Sequence, residues 1–176
     1  MSPTSNTQNH SAFRVMLVGF LAAQLAGCVA EPQAEAQWAA VQLDSFVCLV
    51  EPVLERECSM PACHGSPARR MPVLAAGRMR IAGELLKAMA AQSPVEREDG
   101  MHPALTALEI EANFTAARAM IEPSNVATSP LLDRPLAVGA GGIFHFANAD
   151  VFASRDDAGY QALLRWAQGA GVEACP

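Results

Sequence analysis

From residue 44 onward the apolar positions recur at steps of three and four, interrupted by glycine and proline rather than alternating with polar residues. That period belongs to helices that bury one face. Phe46, Val47, Val50, Val53 and Leu54 form the first stripe; Asp44 and Ser45 are placed to cap it, and Pro52 either kinks it or marks a fresh start. Residues 65–80 hold Gly65, Pro67, Pro72 and Gly77 and read as loop. A short helix is expected over Ala82–Ala91, then a polar loop from Gln92 to Pro103. Thr106 and Glu109 match a capping box, and Ile110, Phe114, Ala117 and Ile121 carry the stripe on until Pro123 stops it. Glu109 and Glu111, two apart, point to different faces of that helix and are expected on its solvated surface. Ser129 and Pro130 open a short helical turn. Gly139–Gly142 begin a loop that carries His145, and Ser154–Asp157 start a last helix. The apolar side of that helix is Tyr160, Leu163, Leu164, Trp166 and Ala167, and Gly169 ends it. No segment of strand period exceeds a few residues, and no internal repeat is present. The expected fold class is mainly α with long irregular loops.

The N-terminus departs from this pattern. Val15 to Leu25 is a continuous apolar run, too short for a helix crossing a bilayer, which needs about 20 residues. Arg14 precedes it and small residues follow, the layout of a secretory signal peptide. Leu25-Ala26-Gly27-Cys28 resembles the lipobox of bacterial lipoproteins. The resemblance implies that residues 1–27 are a signal peptide and that Cys28 is the lipid-bearing first residue of the mature protein. Its partner is then a membrane, held stably because more than one acyl chain is attached. Val29, rather than Asp, follows the cysteine, so the resemblance implies the outer membrane, facing the periplasm or the cell surface. Residues 28–43, rich in Ala, Gln and Glu, read as a tether in which Trp38 can pack, and residues 44–176 as the domain.

Half of the chain is apolar, enough for a core, and its net charge is −6. Removing Arg14 with the signal takes the remainder to about −7. No basic stripe is present, which excludes nucleic acid as a partner. An acidic surface suits solubility and is compatible with a basic redox partner protein. In an oxidising compartment the four cysteines other than Cys28 allow three disulfide pairings, or one disulfide and another use for the remaining pair. Cys48 and Cys175 stand near the two ends of the domain. A bond between them closes nearly all of it, for about 4–5 kcal/mol in the loop-entropy picture, and this is the preferred pairing. It leaves Cys58 and Cys63, with His64 directly after the second.

Covalent haem attachment needs this set: two thiols that add to the vinyl groups of the porphyrin, and an adjacent imidazole that reaches the iron. The usual spacing has two residues between the cysteines, and here there are four. Glu51-Pro52-Val53-Leu54 leads into Cys58, and Ser129–Leu132, Gly141–His145 and Tyr160–Trp166 follow at intervals. Together these patches resemble the cytochrome c-like domains of bacterial lipoproteins and secreted proteins, over roughly residues 44–172. The resemblance implies a small cytochrome c-like helical domain with one covalent haem c. Cys58 and Cys63 would make the thioethers, and His64 would be the proximal iron ligand. His145 would be the distal ligand, with Met120 or Met101 as alternatives, and Phe144, Phe146, Leu164 and Trp166 would wall the pocket. Such a protein carries electrons rather than catalysing a reaction, although an open sixth position would suit a peroxidase or sensor. The family's glycines after the distal histidine are replaced here by Phe146-Ala147-Asn148. The other reading of the same residues is a local Cys58–Cys63 disulfide in a haem-free binding or structural lipoprotein. Zinc or copper on Cys58, Cys63 and His64 lacks a fourth protein ligand, and no nucleophile elbow, phosphate loop or metalloprotease helix is present.

Overall fold

The computed structural model describes residues 41–145, 150–171 and Cys175. The expected signal peptide, Cys28, Trp38 and Phe146 lie outside the described residues. What is described belongs to one compact unit, Gln33–Pro176. Its helices are α1 (Leu43–Leu49), α2 (Glu51–Val53), α3 (Ala82–Ala91), α4 (Pro94–Glu98), α5 (Ala107–Arg118), α6 (Pro130–Asp133) and α7 (Ala158–Ala167). A π-helical turn, Leu54–Cys58, continues α2, and 3-10 turns occupy Val126–Thr128 and Val138–Ala140. Among the described residues the only extended pairing is an isolated parallel bridge between Leu136 and Phe152. The fold is mainly α, as the apolar spacing predicts.

The boundaries follow local chemistry. Ser45 does not cap α1; its hydroxyl donates to the Gln42 carbonyl at 3.0 Å, inside a helix that starts earlier. Pro52 sits in the first turn of α2, so it restarts the helix rather than kinking it. α4 interrupts the expected 92–103 loop. Its capping box has the Ser93 N–H donating to Glu96 at 2.7 Å and the Glu96 N–H donating back to the Ser93 hydroxyl at 3.3 Å. α5 opens on the Thr106–Glu109 box but ends at Arg118, where the Met120 and Ile121 amides turn back onto Ala117 and Arg118. Asp157 caps α7 through the Gly159 N–H at 2.8 Å. Just past the helix, Gly169 takes the left-handed conformation that closes it.

α1 packs against α5 and α7. At that crossing Phe46, Phe114 and Trp166 meet edge-on or tilted, with ring centroids 5.4 to 6.0 Å apart. Trp166 is fully buried, and its indole N–H donates to the Gln42 carbonyl at 3.1 Å. Cys48 of α1 is bonded to Cys175, 127 residues away, with the Cα atoms 4.9 Å apart. The pairing preferred from the sequence is the one formed.

Glu109 is not on the solvated surface that its spacing suggests. Its side chain is fully buried, with both oxygens bonded by Arg80 at 2.9 and 2.6 Å. The Ile81 and Thr106 amides add bonds of 2.9 and 3.0 Å. The third residue of a capped helix reaches back over its own N-terminus, and here the 80–81 strap lies across that end.

A second buried carboxyl, Glu51 of α2, accepts from the Asn113 amide at 2.8 Å, and its other oxygen has no hydrogen-bond partner. Asn113 also clasps Leu74 through both its N–H and its carbonyl, each at 2.8 Å. Burial pushes the Glu51 carboxyl up to about 7; the Asn113 bond opposes this and the charge of Glu55 adds to it. The folded protein therefore holds this proton more tightly than the unfolded chain, and stability falls as pH rises from about 4.5 to 7. Glu51→Gln is expected to raise stability at pH 7.5 by about 2 kcal/mol and to flatten that slope. Urea unfolding at pH 4.5 and 7.5 measures both. A variant less stable than the parent at pH 7.5 would contradict the assignment.

Candidate functional site

The π-helical turn brings Cys58 into the core, where it is 9% exposed. The chain then folds tightly on itself. His64 N–H donates to the Cys58 carbonyl at 3.0 Å, and the Cys63 and Gly65 amides both donate to Met60 O, at 2.8 and 2.9 Å. Gly65 is required by this closeness, since a Cβ there would sit 2.1 Å from the Ser59 carbonyl oxygen. The Ser59 hydroxyl donates to Glu55 O and accepts from the Arg78 guanidinium, which also reaches Glu55 O at 2.8 Å. Gly65→Ala is accordingly expected to cost about 3 kcal/mol by urea unfolding. A loss below about 0.5 kcal/mol would show that the turn relaxes freely.

His64 is oriented by its own loop. Its Nδ1 lies 2.8 Å from the Met71 carbonyl oxygen. A carbonyl only accepts, so Nδ1 carries the proton and Nε2 keeps the lone pair. Burial holds the imidazole below its usual titration range; the Met71 bond opposes this, and the His145 and Arg69 charges reinforce it. Cys58 is likewise a protonated thiol, pushed up to about 12 by burial first and then by Glu57 and Cys63. Cys58 and Cys63 are not bonded to each other.

The other wall comes from the segment that follows Ala137 and reaches His145. Its neck is clipped shut by Ala137 N–H to Phe152 O and Val151 N–H to Pro135 O, both 2.9 Å, and Ile143 N–H reaches Asp133 O at 3.0 Å. Gly142 permits the clip, because a Cβ there would meet the Leu136 carbonyl oxygen at 1.9 Å. The loop sets the His145 ring 5.9 Å from that of His64, the two planes 25° apart.

Cys58, Cys63, His64, His145 and Met120 all line one cleft of about 610 Å³, counting its open mouth. Its apolar walls are Leu54, Met71, Leu131, Pro135, Val151 and Leu163, and its ionic groups are Glu57 and Arg134. The sequence reading thus places four of its haem residues and one alternative ligand together. It misplaces others. Met101 is 56% exposed and lines a separate hollow beside His102 and Gln92, so it is not an alternative ligand to this site. Phe144 is 66% exposed, and Trp166 is spent in the aromatic core, so neither walls the cleft; Leu164 packs at the edge of the core. Loop residues follow the clip and helix residues follow the α1 crossing, and neither is visible in apolar spacing. Met71, Arg134 and the carbonyl that orients His64 had no sequence signal.

Among the described residues, no group of three or more His, Cys, Asp or Glu is arranged to hold a metal ion by side chains alone, and no helix is long and apolar enough to cross a membrane. Scans against family models, curated proteins and solved structures find no match.

Two imidazoles ligating one metal ion from opposite sides, with bonds of about 2 Å, put their ring centroids roughly 6 Å apart. The His64–His145 separation agrees with that span. With two unbonded thiols, the His64 imidazole pinned by the Met71 carbonyl, and apolar walls in the same cleft, the residues present fit a haem.

Proposed function

We propose that this chain is an extracytoplasmic lipoprotein, anchored through Cys28, that binds one haem covalently and transfers electrons. The observation that carries the reading is the near-parallel His64–His145 pair, 5.9 Å apart in the cleft that Cys58 and Cys63 also line. In attachment each thiol loses its S–H and gains an S–C bond to a vinyl carbon, the hydrogen passing to the other carbon of that vinyl group, with no net oxidation. His64 would offer Nε2 to the iron, since the Met71 carbonyl holds its Nδ1, and His145 would offer the second imidazole, with Met120 as the alternative on the same cleft. When bound, haem supplies the one-electron iron couple. The walls exclude water from it, and the open mouth leaves an edge for exchange with a redox partner protein. The Cys48–Cys175 bond with Cys58 and Cys63 unbonded supports this reading over the doubly stapled, haem-free one.

Expression of the full chain in cells with and without a cytochrome c maturation system tests it. A Soret band and a haem mass adduct, present only with the system, are expected, as is a membrane-fraction protein released by Cys28→Ser. A colourless protein from competent cells would overturn the haem assignment, and a soluble wild type the anchor.

A further inference from the structure

Of the two ionic groups in the cleft, Glu57 has a partner: Arg56 donates to it at 2.6 Å. The Arg134 guanidinium has none among the described residues. It is exposed, directly after α6, on the lip of a wall that is otherwise apolar. Its neighbour Asp133 accepts the Ile143 amide that helps close the His145 loop, so this lip belongs to the structure that presents the distal imidazole. An unpaired, permanently charged fork at the edge of an apolar cleft is built for a carboxylate.

Haem carries two carboxylates on one edge, away from the vinyl carbons that Cys58 and Cys63 would take. We infer that Arg134 binds a haem propionate and sets how far the carboxylate edge projects from the cleft. The inference rests on the haem reading above. A carboxylate against this guanidinium stays ionised across neutral pH, and the pair offsets negative charge near the iron.

Haem-loaded Arg134→Gln, Arg134→Lys and, as a control, Arg97→Gln on exposed α4 are compared by redox titration from pH 5 to 8 without any partner protein. At the wild-type midpoint, Arg134→Gln is expected to show an oxidised-to-reduced ratio raised roughly threefold. Its midpoint is also expected to depend on pH more steeply across that range than that of the wild type. Arg134→Lys restores much of both, and Arg97→Gln changes neither. Arg134→Gln titrating like the wild type would overturn the assignment, and so would an equal shift in Arg97→Gln, which reports net charge alone. A role for Arg134 only in docking an acidic partner also leaves this titration unmoved and counts against the inference. A colourless wild type fails the haem reading and this assignment together, whereas a coloured wild type with an unchanged Arg134→Gln fails this one alone.

Discussion

Arg80→Met is expected to destabilise the protein by about 3–5 kcal/mol, because it leaves the Glu109 carboxylate buried and unpaired. The Arg80 side chain is only 3% exposed and also donates to the Pro103 and Ala104 carbonyls at 2.7 and 3.0 Å, so three segments lose their common tie. Burial by itself would raise the Glu109 carboxyl. The Arg80 bonds and the Thr106 and Ile81 amides more than reverse this and bring it down to about 2. A carboxyl depressed in the folded state contributes stability that is complete above its unfolded value near 4.5 and is lost as pH falls toward 2. Urea unfolding of the parent should therefore show a loss between those limits, and Arg80→Met should lack that part of the slope. Arg80→Met combined with Glu109→Leu should recover much of the loss, since the orphaned charge goes with it. A single-variant loss under about 1 kcal/mol would mean that water reaches the pair.

Removing the thiols has the largest expected effect on the cofactor. Cys63→Ala should retain haem through Cys58 alone, with the haemochrome absorption shifted to the red by the one unsaturated vinyl group left. Cys58→Ala should retain it through Cys63 in the same way. The double variant should yield protein without a covalent adduct, while its unfolding midpoint in the haem-free state stays close to that of the parent carrying free thiols. Intact mass and absorbance under denaturing conditions read all three. A covalent adduct in the double variant would place the attachment elsewhere.

Much of the scaffold was legible because its signals are local. The span Ala82–Ala91 and the start of α5 at Thr106 follow from spacing and a capping box, and the Cys48–Cys175 bond from the position of its two partners. α4 carries an equally local signal in Ser93, Pro94 and Glu96, masked by the polar residues around it. Glu109 is illegible for a different reason. Helical spacing gives a direction around an axis but does not say what lies across the helix end, and the strap carrying Arg80 comes from nearly 30 residues away. At the candidate site the two cysteines and two histidines announce themselves as residue types. What orients them does not, because the Met71 carbonyl and the backbone clip around His145 are main-chain groups that every residue possesses.

The five-residue π-helical stretch that ends on Cys58 acts as a register adjuster. Each residue of an ordinary helix turns the chain by about 100°. A π turn takes up about one residue more than a regular turn. Winding all five residues as a regular helix would therefore swing the Cys58 sulfur by roughly 100° away from Cys63 and the cleft. Winding them so after deleting one residue between Val53 and Cys58 would keep its direction, and both would leave α1 and its aromatic contacts in place. The wide turn thus separates two duties of one continuous segment: its first half is phased to the core, and its second half to the chemistry.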